Sequence, residues 1–258
     1  MFTFRTTTLL FFLVLILLNI LSIAGFSIAF TWYLLLVMVY LTVSVAASFF
    51  PCCGFHMKAL CRGETEQKVV ALTFDDGPHP EYTPVILDIL KDRATATFFC
   101  IGKKIPGNED LLKRMDEEGH TVGMHSYSHS NLFDFFSPGR MADEFRQTED
   151  IISKIIKKKP LLFRPPYGVI NPMVKKALRS FSYHVIGYSN RSLDTVTASE
   201  EKVLRRILRK LRPGDIILLH DTVSYSASLL RKLLFELTER GYIVIGLDKL
   251  CKIKAYEK

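Results

Sequence analysis

From Thr6 to Met57 the chain contains no Asp, Glu, Lys or Arg, and nothing else in it so narrows what it can fold into. A helix crossing the hydrocarbon core of a bilayer needs about 20 apolar residues. This stretch is long enough for two, Thr8 to Phe26 and Phe30 to Phe50, with a turn region at Ser22 to Ser27 that includes Gly25. The expectation is a helical hairpin acting as a membrane anchor over residues 1–50, in preference to one long tilted helix. A cleaved signal peptide fits less well, because its apolar core runs to only about 7–15 residues. Trp32, Tyr33 and Tyr40 suit interfacial positions. A hairpin returns the chain to its starting side. Arg5 precedes it, Lys58, Arg62 and Lys68 follow it, and the turn carries no charge, so the positive-inside tendency puts the body on the cytoplasmic side. A single span would reverse that side.

Residues 51–68 read as a linker. From Val69 to Leu250 strand-like and helix-like runs alternate. Val69–Phe74, Ala96–Ile101, Thr121–Met124, Leu161–Phe163, His184–Tyr188, Ile216–Leu219 and Tyr242–Leu247 are the expected strands. Pro84–Leu90, a helix capped by Asn108 and running through Glu118, Met141–Lys158, Pro172–Leu178, Ser199–Leu211 and Ala227–Arg240 are the expected helices. This order implies an α/β body of parallel strands with outer helices, here over residues 69–250, followed by a tail at 251–258. Sites in such folds form at the carboxyl ends of the strands.

The formal charge of +8 lies almost wholly in the body, where Arg205, Arg206, Arg209, Lys210 and Arg212 share one expected helix. A solvated helix face is the plain reading, attraction to anionic lipid head groups the functional one. No nucleic-acid-binding motif accompanies the charge. The five cysteines form no Cys-x-x-Cys pair and are odd in number, which argues against a disulfide framework or structural zinc; a Cys61–Cys251 bridge stays open.

Five short motifs follow the strand-like runs: Thr73-Phe-Asp-Asp-Gly-Pro78, His125-Ser-Tyr-Ser-His129, Arg164-Pro-Pro-Tyr-Gly168, Arg191-Ser-Leu-Asp194 and Leu218-Leu-His-Asp221. Asp76, His125 and His129 form a candidate metal set, since two imidazoles and a carboxylate suit zinc, cobalt, nickel or iron and leave coordination positions open. His-x-x-x-His is weak alone and gains its weight from Asp-Asp at a strand end. His120 has no such partner and reads as structural. Asp75 is the candidate general base, provided the turn at Gly77-Pro78 brings both aspartates to one site. Arg164, at the end of an apolar run, needs a buried partner, and Asp75 is the expected one. Beyond Pro165 and Pro166 the next free backbone N–H belongs to Tyr167, in reach of a developing oxyanion. His220 is the candidate acid, tuned by Asp194, with Leu218 facing the site by strand alternation. Asp221 reads as a structural partner. Phe133, Phe135 and Phe136 are either core or an apolar rim.

These motifs, in this order, resemble the polysaccharide deacetylase family, the NodB-homology or carbohydrate esterase family 4 domain, over about Val69 to Leu250. The resemblance implies a distorted (β/α) barrel and a divalent metal, zinc first, with Co2+, Ni2+ or Mn2+ as alternatives. The implied reaction is hydrolytic N-deacetylation of an N-acetylhexosamine. Asp75 would be the base and Asp76, His125 and His129 the metal ligands. Arg164 would orient the base, Tyr167 supply an oxyanion N–H, and Asp194 tune the acid His220. Leu218 would line the acetyl pocket. The fourth motif departs from the family, which often has Asp-Trp where this chain has Asp194-Thr195; its only Trp is Trp32. That leaves the acceptor open between a glycan such as peptidoglycan and a lipid-linked saccharide, with membrane lipids as neighbours. The competing readings are a deformylase of a lipid-linked amino sugar and a catalytically inactive, membrane-anchored sugar-binding protein.

Overall fold

The structure is a computed structural model and describes residues 3–257. The charge-free stretch forms two antiparallel-connected helices, α1 (Phe4–Ile23) and α2 (Phe30–Ser48), each long and apolar enough to cross a membrane. Helix α1 starts earlier than the apolar run alone indicates, because Thr3 and Thr6 form a reciprocal capping box ahead of it. Tyr40 turns toward Thr8 across the hairpin, the two hydroxyls lying 2.9 Å apart.

The body follows the expected alternation: β1 (Val69–Asp75), α3 (Tyr82–Leu90), β2 (Ala96–Cys100), α4 (Glu109–Glu117), β3 (Thr121–Met124) and α5 (Pro138–Ile156). Then come β4 (Lys159–Pro160), β5 (Leu162–Phe163), α6 (Pro172–Ala177), β6 (His184–Val185) and β7 (Asn190–Arg191). The chain closes with α7 (Glu200–Lys210), β8 (Ile216–His220), α8 (Ser226–Glu239), β9 (Ile243–Val244), α9 (Leu247–Cys251) and β10 (Tyr256–Glu257). The main sheet runs β6-β5-β3-β2-β1-β8-β7, parallel throughout, with β9 added beside the start of β1. It curls into the distorted (β/α) barrel that the motif order implied.

Strand alternation divides β1 between two apolar layers. Val70, Leu72 and Phe74 face the helices and join the large cluster that holds Ile86, Leu90, Phe98, Phe145 and Leu233. Ala71 belongs to the smaller inner cluster with Phe99, Leu162, Ile186 and Ile216. The register sets the height of the site: Asp75 pairs with His220 and Phe99, Cys100 with Met124, and Met124 with Phe163. The residues that end or follow these strands therefore emerge at one level.

Several boundaries differ from the periodicity. Asn108 occupies the N-cap position of α4 but makes no capping bond; its amide donates to Lys104 O at 2.9 Å. Leu247 begins a short helix where a strand residue was expected, leaving β9 two residues long. The run at His184–Tyr188 keeps only two residues as strand before the chain turns toward β7. Within the linker, Leu60 bridges Ile186 and Arg62 bridges Asp215. Near the C-terminus, β10 pairs antiparallel with β4. Cys52 and Cys61 form a disulfide, whereas Cys53, Cys100 and Cys251 are free. The odd count concealed this pair, and the open Cys61–Cys251 alternative is excluded.

Candidate active site

The five motifs meet at one end of the sheet, around a cavity of about 180 Å³ lined by Asp75, Asp76, His125, His129, Tyr167, Leu218 and His220 among others. Other clefts are larger, and the two largest of these, about 610 and 530 Å³, lie by the starts of β1 and β2. Neither contains a cluster of metal-ligand donors among the described residues.

Consecutive residues on a strand point to opposite faces, so Asp-Asp reaches one site only because the chain turns. Asp76 is in the left-handed region at φ +72°, and Gly77 leaves room for the Asp221 carboxylate, whose oxygen would lie 2.2 Å from a Cβ there. Asp221 is fully buried and accepts from the Thr83 hydroxyl, which in turn accepts from His79 N at 2.8 Å. It is the structural partner expected, and burial pushes its pKa up to about 7.

The His125–His129 segment is a loop, with Ser126 and His129 at φ +61° and +47°. Buried Glu144 on α5 accepts from Tyr127 N and Ser128 N at 3.0 and 2.7 Å, and the Ser126 hydroxyl accepts from His129 N at 3.1 Å. His125 Nδ1 donates to Arg164 O at 2.8 Å, which leaves Nε2 free to face Asp76 Oδ1 at 3.6 Å. His129 Nε2 lies 3.3 Å from the same oxygen. Burial, then the neighbouring His125, lowers the His129 pKa to about 4 and keeps the ring neutral. Burial works against ionisation of Asp76, but the nearby histidines and Lys104 outweigh it and lower its pKa. Asp76 Oδ1 is buried and has no hydrogen-bond partner. Donors around a zinc-sized ion with bonds of about 2.1 Å stand about 3.4 Å apart. These three side chains, whose donor atoms all lie within 4.8 Å of one another, fit such an ion.

Arg164 is 1% exposed, and all three nitrogens of its guanidinium donate hydrogen bonds. Nη1 donates to Asp75 Oδ1 at 2.6 Å and to Thr73 Oγ1 at 2.8 Å, Nη2 to Gly187 O at 2.9 Å, and Nε to Ile186 O at 3.4 Å. Its face lies over the Phe99 ring at 4.2 Å. Across the cavity, His220 Nδ1 donates to Asp194 Oδ1 at 2.7 Å, while Asp194 Oδ2 accepts from His220 N at 2.8 Å. Ser192 and Thr195 complete the carboxylate's bonds. Tyr167 is left-handed at φ +59° and donates its hydroxyl to Asn131 Oδ1 at 2.9 Å. Leu218 is buried at the cavity wall, as alternation predicted. Phe133 and Phe136 are core, while Phe135 is 85% exposed. His120 is buried and accepts from Ala96 N.

Sequence reasoning quoted Thr73 and Arg191 within motifs without giving them a role, and missed Glu144, Gly187 and Tyr188. Thr73 carried a signal, since it shares strand parity with Asp75; the others meet the site only through tertiary contacts. Thr195, standing where the family often has Trp, lines the cavity beside Tyr188 and Arg191.

Burial works to lower the His220 pKa, but its bond to Asp194 and the Asp75 and Asp76 charges outweigh this and raise it. A group with a raised folded-state pKa contributes stability in full below its unfolded value, about 6.5 for histidine, and loses it as pH rises through the folded value. The unfolding free energy of the metal-free chain should therefore fall across that window in urea titrations. Asp194→Asn should flatten the slope; an unaltered slope would assign it to other groups.

The family model described as polysaccharide deacetylase matches residues 62–186. A peptidoglycan-N-acetylglucosamine deacetylase of Bacillus cereus is 35% identical over 197 residues, covering 73% of this chain and 90% of the relative. The chain belongs to the polysaccharide deacetylase family. This places it among hydrolases that cleave carbon–nitrogen bonds of linear amides. A second relative of this family member, the peptidoglycan-N-acetylmuramic acid deacetylase PdaC of Bacillus subtilis, is 35% identical over 74% of the chain, which spans only 40% of PdaC. Among solved structures, a peptidoglycan N-acetylglucosamine deacetylase bound to a naphthalenyl N-hydroxybenzamide aligns at TM-score 0.71 and 30% identity, covering 77% of this chain and 95% of that one. A CE4 family pseudoenzyme from Bacillus anthracis aligns at TM-score 0.68 and 31% identity, over 74% and 67%.

Proposed function

We propose that this chain is a metal-dependent hydrolase that removes the acetyl group from an N-acetylhexosamine of a glycan, and that residues 1–50 anchor it in a membrane. The observation that carries the proposal is the buried, unpartnered Asp76 Oδ1 facing His125 and His129, flanked by two proton carriers that each have their own orienting partner. A divalent ion held by Asp76, His125 and His129, zinc or else cobalt, nickel or manganese, would acidify water and polarise the amide carbonyl.

The remaining chemistry belongs to the chain. Asp75 takes the proton of the attacking water, and Arg164 keeps its carboxylate turned to the cavity. Tyr167 offers its backbone N–H to the developing oxyanion. His220, held at Nδ1 by Asp194, passes a proton from Nε2 to the leaving amine. Leu218 receives the acetyl methyl. The names of the relatives support N-acetylglucosamine or N-acetylmuramic acid of peptidoglycan as the first acceptor to test. A second reading, a lipid-linked amino sugar bearing acetyl or formyl, draws on one contact. Ile170 N, just past the third motif, donates to Ser48 O at the end of α2, so the pocket loop borders the anchor.

The test is acetate release from N-acetylglucosamine oligomers by the full-length chain in detergent. Activity should vanish with a chelator, return with zinc or cobalt, and be absent in Asp76→Ala and His125→Ala. Formate release from a formylated lipid-linked sugar alone would favour the second reading. A metal-loaded chain that binds saccharide but hydrolyses none would be an inactive binder. Removing the loop's carboxylate support is a milder perturbation. Glu144→Ala leaves two backbone donors unpaired and should cost about 1–3 kcal/mol of stability. Its metal affinity should fall roughly 10- to 100-fold, measured by competition with a chromophoric chelator.

A further inference from the structure

We infer that the Cys52–Cys61 disulfide is a positioning element of the catalytic pocket, formed on the thiol-oxidising face of the membrane; the catalytic part rests on the deacetylase reading above. Cys52 lies four residues past the end of α2, and Cys61 lies in the linker. Next to the bond, Leu60 acts as a strand residue: Leu60 N donates to Val185 O and Gly187 N to Leu60 O, both at 2.8 Å. Arg62 then pairs with the buried Asp215 at 2.7 Å, and Gly63 N donates to Gly214 O. The linker thus reaches from the end of β6 to the foot of β8.

The sulfurs press on the segment between β6 and β7. A Cβ on Gly187 would come within 2.5 Å of Cys61 Sγ and 3.7 Å of Cys52 Sγ, so only glycine fits beneath the bond. Cys52 Sγ also lies 3.1 Å from Tyr188 O. That segment is half of the seat of Arg164, through Gly187 O and Ile186 O, and the other half is Asp75 with Thr73. Tyr188 continues into the cavity wall, where its hydroxyl would lie 2.7 Å from a Cβ on Gly168 of the third motif. The line of contact is therefore disulfide, Gly187, Arg164, Asp75.

Forming the bond takes two electrons and two protons from the two thiols. A disulfide-bearing oxidoreductase accepts them and becomes a dithiol. Such bonds persist in oxidising compartments, so the body faces outward, the opposite of the side that Arg5, Lys58, Arg62 and Lys68 indicate. Those few charges weigh less than a covalent bond built into the sheet seam.

The experiment uses full-length protein from native membranes, with thiols alkylated under denaturing conditions before any reduction. Intact mass should show three adducts, for Cys53, Cys100 and Cys251, rising to five after reduction. Five adducts at the outset would overturn the bond and the outward side together. Folded oxidised protein, reduced with a phosphine, should then show amide exchange across residues 185–189 accelerated roughly tenfold or more. Its kcat on N-acetylglucosamine oligomers should fall roughly 10- to 100-fold at nearly constant KM, as expected for a displaced catalytic group. Reoxidation should restore wild type but not Cys52→Ser or Cys61→Ser. Unchanged exchange on reduction would overturn the positioning role, as would a loss of thermal stability with kcat intact. Failure of every form to release acetate would sink the deacetylase reading alone, because the mass and exchange results do not depend on it.

Discussion

Asp75→Asn should lower kcat for acetate release roughly 10²- to 10⁴-fold, the usual worth of a positioned general base, while leaving the metal bound. The asparagine oxygen can still accept from Arg164 Nη1, and Thr73 and the Gly187 and Ile186 carbonyls still hold the guanidinium. The three candidate ligands are untouched. Metal analysis beside steady-state kinetics separates the roles. Retained metal with lost turnover assigns Asp75 to proton transfer. Lost metal would move Asp75 into the ligand set, since His125 Nε2 is only 3.8 Å from Asp75 Oδ2. Turnover within a few-fold of wild type would remove the base from the proposal.

Arg164→Leu should have the largest effect on stability, about 3–5 kcal/mol, because it strands a buried carboxylate without its cation. Asp75 is 4% exposed, and two backbone carbonyls lose their donor as well. Lysine is no conservative replacement, since a point charge cannot bond Asp75, Thr73 and Gly187 at once or lie flat on Phe99. The double variant Arg164→Leu/Asp75→Leu should regain much of the lost stability and none of the activity. Urea unfolding of the four proteins in the cycle measures the coupling. Equal stability of the single and double variants would show that packing around Arg164, and not the ion pair, sets the cost.

The parts of this site that could be read from the chain share one property: each follows directly on a buried strand whose apolar run marks its own end. Asp75, His125, Arg164 and His220 were legible for that reason, and the pairing of Asp75 with His220 in the sheet explains why they arrive at one level. Asp194 was harder, because β7 is only two residues long and has no apolar run before it. Glu144 sits within a helix whose amphipathic pattern gives a buried acid no special mark. The Leu60–Ile186 bridge joins segments far apart in sequence, and nothing near either one encodes the other. Leu247 shows the converse limit: an apolar run after β9 serves equally as a strand or as the first turn of a helix, and packing against the inner cluster decides it.

The contact between Ile170 and Ser48 has a mechanical consequence for the proposed anchoring. Many tethered enzymes hang on slack chain and sweep out a volume. Here the last residue of α2 is hydrogen-bonded to the loop beyond the third motif, and Phe4 N at the start of α1 donates to Phe55 O at 2.8 Å. Under the proposed anchoring, these two bonds, and not the length of a tether, would set the height of the pocket above the bilayer, and with it the depth of the layer of sugars within its reach.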